Sequence, residues 1–173
     1  MNRPELISIY VANHKAFHDY ILSLNDAEFL TSRNDKWTPA QQLDHIVLCT
    51  KPLVQILGAK DVILSKFGKA TRPCMTYAEV ITLYTEALAK GGKAPDRFVP
   101  PQITLAQRSA LSGELQQQLL TIAQQLGTYS EEDLDTLILP HPLLGMLTVR
   151  EMMYLMAHHA THHLEQTKAN LKA

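Results

Sequence analysis

The sequence has few of the residues that mark secreted, membrane or nucleic-acid-binding proteins. Its 173 residues include two cysteines, which is too few for a disulfide framework and is typical of a reducing compartment. The formal net charge is -1 and the basic residues form no cluster, so we expect no nucleic-acid groove. The N-terminus has no sustained apolar run and no uncharged stretch reaches about 18 residues, so neither a signal peptide nor a membrane span is predicted. These absences predict a cytoplasmic protein.

Length and composition favour one globular domain. Hydrophobic residues make up 46% of the chain and charged residues 19%, a balance that supports a substantial core. No break in composition divides the sequence, so we expect a single domain over residues 1–173.

Signals for helix starts recur along the chain. Thr38, Thr76, Thr104 and Thr148 each precede a Gln or Glu by three residues, which is the capping-box spacing. Pro4 favours an earlier first helix, residues 130–133 favour one short extra turn, and no strand or hairpin signal competes. Glycines lie where the second, third and fourth helices should end, at Gly58, Gly91, Gly92 and Gly127. The pattern predicts an all-α fold, an up-down four-helix bundle with one additional helix or long connecting loops.

Two connections between the predicted helices are long and polar. Residues 60–72 and 91–101 are long enough to form a lid or a dimer contact, and the sequence does not distinguish the two. Pro52 falls inside the second helix and should kink it or end its first part.

Four of the eight histidines lie within six positions, at His158, His159, His162 and His163. Histidines four apart are about 40° apart around a helix and can grip one metal ion. The apolar residues of this segment form one helical stripe, composed of Val149, Met153, Met156, Ala160, Leu164 and Leu171. His163 and His159 border this stripe, at about 40° and 80° from Val149, whereas His162 and His158 lie about 140° and 180° away. We therefore expect His159 and His163 to face inward and act as ligands.

Two histidines do not complete a metal site. Clustered histidines also occur as hydrogen-bonded core residues, and zinc or nickel usually takes at least three protein ligands. The candidates for a third ligand are His14, His18, His45 with Cys49, and His141.

The sequence lacks the residues that other classes of metalloenzyme require. A metalloprotease helix needs Glu directly after its first histidine, yet Ala160 follows His159. Di-iron bundles need Glu three residues before a histidine, and neither pair has one. A serine or cysteine hydrolase is not favoured, because no nucleophile elbow is present.

Three segments of the chain carry a family resemblance, namely WTPAQQLDHI at residues 37–46, HPLLGMLT at 141–148 and HATHHLEQ at 159–166. Together they resemble the DinB-like superfamily of metalloenzymes, in order and over most of the chain. In that family a four-helix bundle carries a three-histidine metal site, with one ligand from the second helix and two, four residues apart, from the last. The resemblance implies His45, His159 and His163 as ligands, with Cys49 in reserve. The family often has an acidic residue where this chain has Gln42.

The resemblance also implies a chemistry. Members of the superfamily include bacillithiol- and mycothiol-dependent transferases and a thiol-dependent isomerase, and many relatives are described only as hydrolases. Three neutral imidazoles leave a divalent metal its full charge and open positions, which lowers the pKa of a bound water or thiol. We expect zinc or nickel before iron or manganese, a small-molecule substrate and a low-molecular-weight thiol as co-substrate.

The predicted function is therefore thiol-dependent S-transfer. The alternatives are a hydrolase that activates water and a non-catalytic metal-binding module. A fourth protein ligand, from Cys49, His141 or His14, would favour the module, because structural zinc sites are closed. Relatives are often dimeric, so a homodimer is a candidate assembly.

Overall fold

Helices dominate the computed structural model, which describes residues 1–172. They are α1 (Arg3–Ser23), α2 (Asp26–Leu30), α3 (Pro39–Leu57), α4 (Lys60–Phe67), α5 (Tyr77–Ala89), α6 (Arg108–Gly127), α7 (Glu131–Thr136) and α8 (Val149–Lys172). Short 3₁₀ turns lie at Asp96–Phe98 and Leu105–Gln107, and β1 (Ile138–His141) and β2 (Gly145–Thr148) form a small antiparallel hairpin. The predicted all-α fold class is confirmed.

The predicted capping boxes form. At Thr38 and Thr76 the hydroxyl accepts a hydrogen bond from the backbone N–H three residues later. The side chain of the Gln or Glu at that later position accepts from the backbone N–H of the threonine. Thr148 exchanges the same pair of bonds with Glu151 at the start of α8. The box at Thr104 opens a 3₁₀ turn, and α6 itself begins at Arg108. Each box satisfies N–H groups that the first turn of a helix leaves unpaired.

The four longest helices, α1, α3, α6 and α8, pack on one another, with α1 against α8 and α3 against α6 as the most extensive pairs. Helix α5 packs on α8 from outside this group. Each helix contributes a buried apolar face at helical spacing; that of α1 comprises Leu6, Tyr10, Phe17 and Ile21. Burying one such side chain stabilises the fold by about 1.5–3 kcal/mol. Because the helices share this core, its packing sets the relative position of the helices that carry the histidines.

The structure differs from the expected layout at four places. Residues 60–67 form α4 rather than a loop, and α2 begins behind an unpredicted capping box at Asn25. The hairpin was also not predicted. Its strands have four residues each, too short to show alternation, and Pro140 pairs with Met146 inside it. Of the two effects expected of Pro52, an end to the helix is excluded, because α3 continues through Pro52 to Leu57.

None of the helices in residues 1–172 combines the length and the apolar character that crossing a bilayer requires.

Candidate metal centre

Three imidazole rings converge between α3 and α8. The Nε2 atom of His159 lies 3.3 Å from Nε2 of His45 and 2.9 Å from Nε2 of His163. Two nitrogens bound to one metal at about 2.1 Å, with an angle of 90–109° between them, are about 3.0–3.4 Å apart. The observed separations are therefore those expected of ligands that share one divalent cation.

Hydrogen bonds on the far side of two rings determine which nitrogen is free. Nδ1 of His45 donates to the backbone carbonyl of Phe98 at 2.7 Å. Nδ1 of His163 donates to Oε1 of Gln42 at 2.5 Å. Because both partners are acceptors, Nδ1 carries the proton in each neutral ring and the lone pair lies on Nε2. This is the arrangement that orients a ligating histidine.

The third ring, His159, has an unusual environment. Within the described chain, its Nδ1 atom is buried without a hydrogen-bond partner. Its Nε2 atom faces the two Nε2 lone pairs of His45 and His163. Lone pairs at this distance repel one another unless a proton or a cation lies among them. The three converging Nε2 donors therefore fit a bound metal ion, whereas Nδ1 of His159 lacks the hydrogen bond that orients the other two rings.

The electrostatic surroundings keep these rings neutral. Burial lowers the pKa of His159 and His163 well below the ordinary value, and repulsion from neighbouring imidazoles lowers both further. Burial also lowers the pKa of His45, although the bond to Phe98 acts in the opposite direction. Neutral imidazole is the form that binds metals.

Cys49 lies one helical turn beyond His45 and offers a different third ligand. Its Sγ atom is 3.6 Å from Nε2 of His45. The ligand atoms of His45, Cys49 and His159 all lie within 4.8 Å of one another, so this group could hold a metal ion. Burial raises the pKa of the Cys49 thiol to about 12. The two possible sets share His45 and His159 and differ in whether His163 or Cys49 completes them.

Trp37 covers the histidines from the loop that precedes α3. Its ring centroid lies 4.9 Å from that of His45, and its plane is within 11° of parallel to His163 at 6.4 Å. Trp37 is the sole tryptophan of the sequence. Its fluorescence should therefore report on the site.

A cavity of 770 Å³ opens onto the three histidines. Its walls are mainly apolar and include Leu88, Phe98 and Met156, while Lys36, Lys93 and Arg97 lie among its exposed lining residues. This volume is typical of pockets for small molecules. A ligand in the cavity would reach the imidazoles directly.

The remaining histidines named as candidates lie outside the cluster. Nε2 of His18 bonds to Ser112 on α6, and Nδ1 of His14 donates to the carbonyl of Tyr10. His141 lines the cavity but accepts from backbone N–H groups in its own hairpin turn. His158 and His162 pack edge-on against the ring of Tyr84, at 6.1 Å each.

Two residues that orient the histidines were not predicted. They are Gln42, whose side-chain oxygen accepts from His163, and Phe98, whose carbonyl accepts from His45. Gln42 lies three residues before His45, so helical spacing puts both on one side of α3 and could have revealed it. A backbone carbonyl such as that of Phe98 leaves no signal in the sequence.

The family model of the DinB superfamily matches residues 9–167, which covers both helices of the histidine cluster and nearly the whole chain. No curated protein matches the sequence.

Proposed function

The chain belongs to the DinB superfamily, and from that premise we propose that it is a metal-dependent enzyme whose ligands are His45, His159 and His163. We take residues 1–173 as one domain that carries this single centre. The observation that supports the ligand set most directly is that Nε2 of His159 lies within 3.3 Å of Nε2 of both His45 and His163.

We prefer His163 to Cys49 as the third ligand because a hydrogen bond orients its ring. The distances do not separate the two residues, since 2.9 Å between Nε2 of His163 and of His159 and 3.6 Å between the Cys49 sulfur and Nε2 of His45 both suit a shared metal. Gln42 holds the His163 proton on Nδ1 and so presents the lone pair of Nε2 to the centre. Within residues 1–172, Cys49 has no comparable contact that orients its sulfur.

Three imidazoles suit zinc and nickel, which we propose ahead of iron or manganese. When bound, such a metal would supply positive charge that lowers the pKa of a thiol or water at its open positions. The residues of this chain would orient the ligands and shield the centre. Gln42 and Phe98 hold the imidazole protons on Nδ1, and the rings of Trp37 and Phe98 limit the access of bulk water.

We propose transfer of a low-molecular-weight thiol to an electrophile as the reaction. Hydrolysis of the metalloprotease type uses a carboxylate base beside the metal, and the cavity lining in the described chain contains neither Asp nor Glu. A thiol whose pKa has been lowered is itself the nucleophile and needs no such base. The cavity volume of 770 Å³ also leaves room for two reactants.

The proximity of Cys49 favours one alternative. If Cys49 joined the three histidines, four protein ligands would close the centre, as in structural zinc sites. The protein would then be a metal-binding module without catalytic activity.

Metal content provides the first test. Tag-free protein purified without added metal should contain about one zinc or nickel per chain, measured by elemental analysis. His159→Ala/His163→Ala should lose this metal, whereas His158→Ala/His162→Ala, which removes two neighbouring histidines from the same helix, should keep it. Equal metal in both variants would refute the ligand assignment, provided that circular dichroism shows both to be helical.

Activity provides the second test. The metal-loaded protein should accelerate the reaction in which a small thiol displaces the halide of a chromogenic aryl halide, forming a thioether and releasing halide and a proton, and the His159→Ala/His163→Ala variant should not. If the loaded protein hydrolyses activated esters and ignores thiols, the hydrolase alternative replaces this proposal.

A further inference from the structure

The cavity has a distribution of charge unlike that of the protein as a whole. The chain has 17 acidic and 16 basic residues and a formal charge of -1. Among the described residues that line the cavity, however, Lys36, Lys93 and Arg97 are basic and none is acidic. A divalent metal on the histidines would add further positive charge to the same space.

The three cations are also uncompensated. Other basic residues have partners, as in the pairs Lys60–Asp133 and Arg108–Asp26. Across residues 1–172, by contrast, no carboxylate lies within ion-pair distance, 4.0 Å, of the side chains of Lys36, Lys93 or Arg97. Their hydrogen-bond donors remain available to a ligand.

Two of the cations lie on segments that contact the histidines. Arg97 and Phe98 are neighbours in the 3₁₀ turn Asp96–Phe98, and the Phe98 carbonyl accepts the hydrogen bond from Nδ1 of His45. The Arg97 guanidinium lies over the Phe98 ring, 4.9 Å from the ring centroid. Lys36 immediately precedes Trp37, whose ring covers His45. Stacking on an aromatic ring leaves the edge of a guanidinium free for bidentate bonds to an oxyanion.

The turn that presents Lys93 is tightly packed. Gly91 adopts a φ of 89°, in the left-handed region that favours glycine. A Cβ atom on Gly92 would come within 2.7 Å of the Ala87 carbonyl oxygen, so the chain approaches the end of α5 more closely than other residues allow. This turn therefore places Lys93 at the rim of the cavity.

We propose that the cavity binds a small molecule with an oxyanion group, a carboxylate or a phosphate, through Arg97 and Lys93. Lys36 adds to the positive potential at the rim. The apolar walls, including Leu88, Phe98 and Met156, contact the body of this molecule, and its reactive end extends toward the histidines. The assignment of that reactive end rests on the proposed function, whereas recognition of the anion rests on the cations alone.

The test uses three probes of similar shape: 4-phenylbutanoate, 3-phenylpropyl phosphate and the neutral 4-phenylbutanamide. Binding is measured from the fluorescence of Trp37 in metal-free and in zinc-loaded protein. We expect at least one of the anions to bind the metal-free protein about tenfold more tightly than the amide. The tighter of the two anions identifies the oxyanion that the cavity prefers, and equal binding supports recognition of either.

Paired variants assign the preference to the cavity. Arg97→Gln/Lys93→Gln should abolish the preference for anions, whereas Lys66→Gln/Lys172→Gln, which removes the same charge from residues that do not line the cavity, should retain it. The inference is overturned if the amide binds as well as both anions, if the preference survives in Arg97→Gln/Lys93→Gln, or if it occurs only with zinc bound.

A zinc titration of the same proteins separates the two proposals. If wild-type protein binds no zinc but prefers anions, the proposed function fails and the anion site stands. If zinc binds to wild-type protein and to Arg97→Gln/Lys93→Gln alike, and neither prefers anions, the anion site fails and the metal centre stands.

Discussion

Oε1 of Gln42 on α3 accepts a hydrogen bond from Nδ1 of His163 on α8 across 2.5 Å, which is the shortest bond made by the three clustered histidines. Both side chains are buried, so the bond is shielded from water. It joins the two helices that carry the cluster and sets the direction of the His163 ring. The expected effects of substituting Gln42 depend on this bond.

Removal of the Gln42 acceptor should weaken metal binding. Gln42→Met keeps the length of the side chain but cannot accept the His163 proton, and we expect zinc affinity to fall about 10- to 100-fold. Gln42→Glu supplies a stronger acceptor and should raise the affinity above that of the wild type. Competition with a chromophoric chelator measures both. Equal affinities in all three proteins would show that Gln42 does not orient a ligand.

Cys49 should not bind the metal. Cobalt(II)-loaded wild-type protein should lack the intense near-ultraviolet band that a thiolate ligand produces, and Cys49→Ser should bind zinc with wild-type affinity. A strong thiolate band that disappears in Cys49→Ser would contradict this prediction. It would support a closed centre and the non-catalytic module.

Metal binding should quench the fluorescence of Trp37. Its ring lies 4.9 Å from that of His45, so a copper(II) or nickel(II) ion on the cluster would be near enough to quench the excited indole. Quenching should saturate at one ion per chain and persist in His158→Ala/His162→Ala. In His159→Ala/His163→Ala it should be lost; quenching at the wild-type affinity in that variant would mean that the ion binds elsewhere.

Protonation of Glu151 should destabilise the fold in acid. Burial by itself would raise the pKa of Glu151, but bonds from Arg72 and from the N–H groups of Met75 and Thr148 outweigh it, and the pKa lies below the ordinary value of 4.5. A carboxylate with a lowered folded-state pKa stabilises the protein fully above its unfolded-state pKa and loses this effect as pH falls through the folded-state pKa.

Glu151→Gln tests this link between stability and pH. At pH 7 we expect the substitution to lower the free energy of unfolding by about 2–3 kcal/mol, with the difference shrinking below about pH 4. The exposed Glu86 pairs with Lys90 on α5 and serves as a control; Glu86→Gln should change stability by less than about 0.5 kcal/mol. Urea denaturation between pH 3 and pH 7 measures both, and a difference that stays constant over this range would contradict the prediction.

Two buried tyrosines should respond in opposite ways to loss of the hydroxyl. The Tyr129 hydroxyl donates to the Leu57 carbonyl at 2.8 Å, whereas the Tyr10 hydroxyl has no partner in the described part of the chain. Tyr129→Phe should lower the free energy of unfolding by about 1 kcal/mol, and Tyr10→Phe should leave it unchanged or raise it. Chemical denaturation of the two variants decides. Equal losses would mean that Tyr10 has a partner in solution.

The helices were predictable because their signals are local. A capping box joins residues three positions apart, so the role of Thr148 at the start of α8 could be predicted from the sequence. The apolar stripe of α8 depends on spacings of three and four residues, so the inward position of His163 could be predicted as well. The hairpin at residues 138–148 gave no such signal, since its strands are too short for alternation and their pairing is a property of the folded chain.

The residues of the metal centre were likewise only partly predictable from the sequence. Helical geometry selected the pair His159 and His163, whereas His45 was chosen through the family resemblance, because periodicity did not establish which way it faces. The contacts that orient the rings join residues 121 positions apart for Gln42 and His163, and 53 apart for His45 and Phe98. Local spacing along the chain is enough to assign residue types to each helix face. Which of these faces meet is a matter of tertiary packing, since it depends on the core of all the helices together.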